Sequence, residues 1–381
     1  MKKSVKRAYL ANGLTACGVY AAFCALAAAL GGDGSFKLII APGIWQCCYL
    51  VLLAASLNLV LGFMGQLSLG HCGFMAIGAY TAALMSLAFE RAGAYDDKSG
   101  AVFLAILFLC IICAGLLAAV FGLLVGIPAL RLKGDYLAII TLGFGLIIEN
   151  VINNLPFCGQ NGLSEGSAAA SLYATGLGFG STDRVAYLWL GVGVTAIGVA
   201  LMFMFIRSKY GRAVRAIRDD EIAAAAAGIN TGYYKVLTFA FSAFFAGVAG
   251  ALYACCNASL STVSFSFTNG SILNSTFVVV MVVLGGMGSL TGSVVSAVIM
   301  FLLNYQIANG AWVDALPGFI RGAFTYPMLV YALVLIIIIM FRPKGIFGSY
   351  EFSLLRTPRE LAGLFKRGGR AKSAGKEAAA Q

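Results

Sequence analysis

The chain has 381 residues, 60% of them hydrophobic and 11% charged, and 26 Lys and Arg against 15 Asp and Glu leave a net charge of +11. A soluble domain carries roughly a quarter of its residues as charges, so this composition excludes a water-soluble globule and points to a bilayer. The positive balance does not indicate nucleic acid, because of where along the chain it falls.

A crossing needs about 20 apolar residues, and a charge at its centre costs roughly 2.5–3.5 kcal/mol, so windows free of Asp, Glu, Lys and Arg count the spans. Residues 8–32 are the first. The basic start and Ala27, Ala28 and Ala29 resemble a cleaved leader, but the apolar run exceeds the 7–15 residues of a signal core, which favours a retained helix. Residues 38–89 hold two crossings and 99–130 one. Residues 136–151 make another, interrupted only by Glu149 near the far end, and 185–206 one more. Residues 236–313 divide into three and 322–341 make the last. The expectation is an all-α polytopic membrane protein of about ten helices with both termini on the cytoplasmic side. One transmembrane domain covers 1–349, with an inner loop at 207–235 and an outer loop at 152–184. The Gly- and Ala-rich basic tail, 350–381, reads as disordered.

Charge in the loops tests this topology, since inner loops collect Lys and Arg. The segments predicted inside carry 21 of the 26; Lys37, Arg91, Lys98, Arg184 and Arg321 fall outside. The excess is thus a topology signal and a contact with anionic lipid. Of the ten cysteines, Cys17, Cys24, Cys47, Cys48, Cys72, Cys110 and Cys113 sit in apolar windows as small hydrophobes, and no ligand cluster accompanies the C-x-x-C spacing of Cys110 and Cys113. No metal site is expected.

Two segments repeat one pattern, V-L-G-x-M-G-x-L. Val60, Leu61, Gly62, Phe63, Met64, Gly65, Gln66 and Leu67 match Val283, Leu284, Gly285, Gly286, Met287, Gly288, Ser289 and Leu290. Each breaks an apolar stretch where a helix running inward ends. Two readings stand: a solute path at a repeat interface, or tight turns that use glycine for close packing and positive φ. Gly65, Gln66, Ser68, Gly285, Gly286 and Gly288 are therefore path candidates, with His71, the only histidine. His71 either lines the path or is a hydrogen-bonded buried residue. Glu149 is the one acidic residue inside an expected span: either it is functional, or it is bonded near the outer interface to Asn150, Asn153 or Asn154.

The inner loop spells a short capped helix. Asp219 or Asp220 can cap its start, and those two with Glu221 suit the positive dipole end. Ala223 to Ala227 propagate it, Gly228 can take the left-handed cap and Ile229 follows as the apolar contact. The expected rod, with Ala223 and Ala224 on it, has almost no side chains on one face. It either docks in a motor domain, with Arg212, Arg215 and Arg218 anchoring its base to lipid phosphate or acidic groups, or merely joins two spans.

In these motifs the chain resembles the branched-chain amino acid ABC importer permeases, the larger of their two permease subunits, over residues 60–348. The resemblance is carried by Gly65-Gln66-Leu67-Ser68-Leu69-Gly70-His71, by Gly134-Asp135-Tyr136 continuing through Thr141 to Phe144, and by Asn161-Gly162-Leu163-Ser164. The loop at 211–230, Gly285-Gly286-Met287-Gly288-Ser289-Leu290-Thr291-Gly292 and Phe341-Arg342-Pro343-Lys344-Gly345 complete it. The resemblance implies that 221–228 meets an ATPase. It also implies a second homologous permease, two cytoplasmic ATP-binding subunits, an extracytoplasmic binding protein and a multi-pass place in the bacterial inner membrane. Leucine, isoleucine and valine are the implied substrates. Relatives also carry urea, short amides or other amino acids, and an ion-coupled secondary transporter is the rival from another class. Thr141 and Asn150 join the path candidates. The chain departs from the family in having Leu146-Ile147-Ile148-Glu149-Asn150 where relatives often place Glu before a basic residue. It has no G-x-x-x-x-G-K-[ST] loop, so ATP and magnesium are expected on partner subunits, with no cofactor and no catalytic residue here.

Overall fold

The computed structural model describes residues 41–91, 100–129, 135–155, 188–256, 260 and 275–309, with scattered positions between 332 and 348. The helices in chain order are α1 (Ala41–Asn58), α2 (His71–Arg91), α3 (Gly100–Ala129), α4 (Asp135–Asn154) and α5 (Leu188–Arg207). They continue as α6 (Lys209–Asp219), α7 (Glu221–Ala226), α8 (Thr231–Cys256), α9 (Ser275–Gly285) and α10 (Leu290–Asn309). A π-helical turn, Leu59–Phe63, prolongs α1.

Five helices among the described residues are long and apolar enough to cross a membrane: Gly43–Phe63, His71–Phe89, Phe103–Ala129, Leu188–Arg207 and Thr231–Cys256. Tyr136–Ile152, Ser275–Gly285 and Leu290–Asn304 are shorter apolar helices. Together they occupy eight of the ten expected windows. The expected span at 8–32, most of 322–341, most of the outer loop at 152–184 and the tail at 350–381 lie outside the described residues. The chain is an all-α polytopic membrane protein.

In lipid, apolar side chains gain little from one another, so helices associate where small residues let backbones approach. Helix α8 shows this, packing on α1, α2 and α3. A Cβ at Gly250 would fall on the carbonyl of Met75 in α2, one at Gly78 on the backbone of Gly247, and one at Gly247 on the Ala118 methyl in α3. As a result 78% of the α8 window is buried, against 39% for α3 and 33% for α5. The central helix also holds buried Lys235, Thr238 and Ser242, while α3 turns Leu116, Val120, Leu124 and Ile127 outward. The apolar side chains of α3 are thus the exposed ones, and the polar groups of α8 face protein. On its other side α1 packs against α5, α9 and α10.

Candidate functional site

The inner loop folds as two helices. Gly211 allows the tight entry into α6, since a Cβ there would strike the backbone of Ile206. Ser208 caps α6 by accepting from the Tyr210 amide at 3.1 Å, and Gly211, Val214 and Ile217 form its buried stripe. Asp219 ends α6, and Asp220, in extended backbone, caps α7 instead. Its Oδ1 accepts from the amides of Ile222 at 2.8 Å and Ala223 at 3.0 Å. At the other end Gly228 has φ +81°. Its amide donates to Ala225 and that of Ile229 to Ala224, both at 3.0 Å, the Schellman closure expected of a left-handed cap. The capped rod read from the sequence is present.

Its orientation refines the expectation. Ala224 is the buried residue of α7, 5% exposed, so it faces the chain itself. The presented surface is Ala223, Ala225, Ala226, Ala227 and Gly228 with Ile222, which is 79% exposed. Glu221 ties α7 to the first turns of α8 through Lys235 Nζ at 2.6 Å, and Lys235 is buried. Arg212 is exposed. Arg215 and Arg218 are exposed as well, but each also bonds to this chain. Arg215 Nη2 donates to the Ile206 carbonyl at 2.8 Å with its guanidinium over the Phe63 ring, and Arg218 Nη1 donates to the Gly62 carbonyl at 2.5 Å.

The two V-L-G-x-M-G segments meet. Asn58, fully buried, donates from Nδ2 to the Ser289 carbonyl at 2.9 Å and to Ser293 Oγ at 2.7 Å, and its Oδ1 accepts from the Gly288 amide at 3.1 Å. Gly65 and Gly288, equivalent positions of the repeat, have φ +73° and +94°. The tight turns with positive φ and close backbone approach are present, and the two segments lie against each other. Gly285 packs against Gly292 of α10, and Gly345 against Gly286.

After the first segment the chain stays irregular to Gly70. Thr141 of α4 accepts from the Leu69 amide at 3.1 Å and donates to the Ala138 carbonyl at 3.0 Å, while Gly70 lies on the Thr141 backbone. Beside this tie a cavity of about 10 Å³ is lined by Gly70, Gly73, Gly145, Glu149 and Ser275 among others. Asn150 and Asn154 bond back to the carbonyls of Leu146 and Asn150. Glu149 therefore shares a cleft with the broken segment. His71 points elsewhere: its Nε2 is 2.8 Å from Ser56 Oγ, whose proton goes to the Leu53 carbonyl, and Ser242 Oγ donates to the Ser56 carbonyl. Gln66 Oε1, Ser68 Oγ and His71 Nδ1 are buried with no hydrogen-bond partner among the described residues.

Asn58, Ser56, Ile222 and Lys235 were not singled out by sequence reasoning. Asn58 and Ser56 carried a signal, two polar residues just before the repeat in a largely apolar run.

Residues 39–341 match the family described as branched-chain amino acid transport system / permease component. The high-affinity branched-chain amino acid transport system permease protein LivM of Escherichia coli K12 is 34% identical over 316 residues, covering 78% of this chain and 67% of the relative. LivH of the same organism is 24% identical over 322 residues, covering 79% of this chain and 91% of the relative. The probable LivM of Methanocaldococcus jannaschii is 23% identical, covering 82% and 94%. No solved structure matches. With matched residues running from α1 through α10, the chain belongs to the branched-chain amino acid transport permease family.

Proposed function

We propose that the chain is the membrane-spanning permease subunit of an ATP-driven importer, translocating leucine, isoleucine and valine across a bacterial inner membrane. The observation that carries this is α7, a rod closed by Asp220 at one end and Gly228 at the other, presenting Ile222 and a row of alanines outward. Such a surface suits a groove on a cytoplasmic ATPase, and the Glu221 to Lys235 pair passes a push on the rod into the central helix. Two ATP-binding subunits, using ATP and magnesium, supply the motor. Similarity to both LivM and LivH of one organism supports pairing with a second, homologous permease. An extracytoplasmic binding protein delivers substrate, and the names of the relatives support its class.

Within the membrane the reading places the solute path beside the first break. There Glu149 lines a cleft and Gln66 and Ser68 leave buried oxygens unpaired. The test is reconstitution of the permease pair with the ATPases and binding protein in liposomes. ATP-dependent uptake of radiolabelled leucine is expected, and Ile222→Arg removes it together with retention of the ATPases. Leucine uptake that needs no ATP, or that tolerates Ile222→Arg in full, overturns the reading.

A further inference from the structure

We propose that Arg218 is a positioning residue that couples the inner helix pair to the crossing of the two glycine-broken segments, so that displacement of α7 reaches the path as displacement of that crossing. The proposal rests on the importer reading above. Arg218 stands at the end of α6, next to the Asp220 hinge from which α7 starts, and its guanidinium leaves the loop for the membrane domain. It donates to the Gly62 carbonyl at 2.5 Å, inside the first repeat. A Cβ at Gly65 would come 3.0 Å from Arg218 Cγ, and one at Gly288, in the second repeat, 2.9 Å from Arg218 Nη1. The side chain, though exposed, thus lies against both repeat glycines, where a Cβ on either would crowd it.

The acceptor explains why an arginine is needed. Carbonyls at the end of a helix lack a following turn to bond them. Here the amides of Met64 and Gln66 turn back to Leu59 and Val60. The Gly62 carbonyl instead takes a charged donor from another element, a bond stronger than a neutral one. The crossing is stiff because Asn58 makes three hydrogen bonds across it, so a shift imposed at Gly62 also reaches Gly288. Arg215 fixes the α6 side chains to the end of α5. The loop accordingly has three side-chain links to the membrane domain: Glu221 to α8, Arg215 to Ile206 and Phe63, and Arg218 to the repeat crossing, of which Arg218 alone reaches both repeats.

The test uses the reconstituted complex, with radiolabelled leucine uptake and ATP hydrolysis measured in the same liposomes. In Arg218→Ala the ATPases stay bound and hydrolysis continues, but leucine moved per ATP falls about tenfold, as when a charge-assisted hydrogen bond no longer favours one state. Gly288→Ala crowds the guanidinium, at the added cost of a side chain on a backbone at φ +94°, and lowers the same ratio. Arg218→Lys keeps the charge and most of the reach and falls between. A purely structural role lowers yield and both rates together and leaves leucine per ATP within twofold of wild type; that result, in whichever of the three variants assemble, overturns the proposal. Arg218→Lys, the mildest, keeps the test open if the others do not fold. Absence of ATP-dependent uptake by the wild-type complex overturns the importer reading instead, and is seen before any variant is made.

Discussion

Asn58 and Lys235 show how single polar residues hold this structure. Asn58 is fully buried and satisfies an amide, a carbonyl and a hydroxyl of a segment some 230 positions away. At roughly 0.6–1 kcal/mol per interhelical hydrogen bond in a membrane, Asn58→Ala is expected to cost about 2 kcal/mol. A lower thermal midpoint of the detergent-solubilised protein measures this. Lys235 is buried with Glu221 beside it, and Glu221 is 39% exposed at its side chain. Glu221→Ala strands the ammonium and is expected to cost about 2 kcal/mol, between an exposed and a fully buried pair, whereas Glu221→Ala with Lys235→Met recovers most of it. The same thermal scan separates single from double variant. Neither role was legible in the sequence. A lone polar residue in an apolar run gives no sign of partners hundreds of positions away, and the Lys235 pairing depends on how α7 folds back on α8. His71 was legible only as an alternative, and its bond to Ser56 places it between helices.

Among the elements, those with strong local causes were the ones read correctly. Charge-free windows located α1, α2, α3, α5 and α8, and the caps of α7 follow from Asp220 and Gly228 because such caps need only neighbours in sequence. Which way α7 faces was not legible: five alanines look alike until one is pressed against the chain, and that one is Ala224. The division of the loop into α6 and α7 was missed too, because either Asp219 or Asp220 could cap and the extended backbone at Asp220 decides between them. Helix contacts through glycine make the next prediction. Gly250→Val places a branched side chain on the Met75 carbonyl, which forces α8 and α2 apart. Overpacking of this kind costs about 1–3 kcal/mol or more, and loss of the monodisperse protein in size-exclusion chromatography is the expected readout.

For the whole molecule, the basic bias of the loops predicts sidedness. With the ten native cysteines replaced by serine, a single cysteine at Ile222 is expected to react with an impermeant maleimide in inverted vesicles and to stay unlabelled in intact cells. Labelling from outside would reverse the orientation derived from Lys and Arg. The central place of α8 bears further on how the protein is made. Helices α2 and α3 leave the ribosome roughly 130–160 residues before α8, which at about 5–20 residues per second is a delay on the order of 6–30 s. Throughout that interval the glycine and alanine faces at Gly78, Gly115 and Ala118, shaped for α8, stand open to lipid. Biogenesis thus calls for an insertase or a neighbouring helix to shelter these faces until α8, made well after both, covers them.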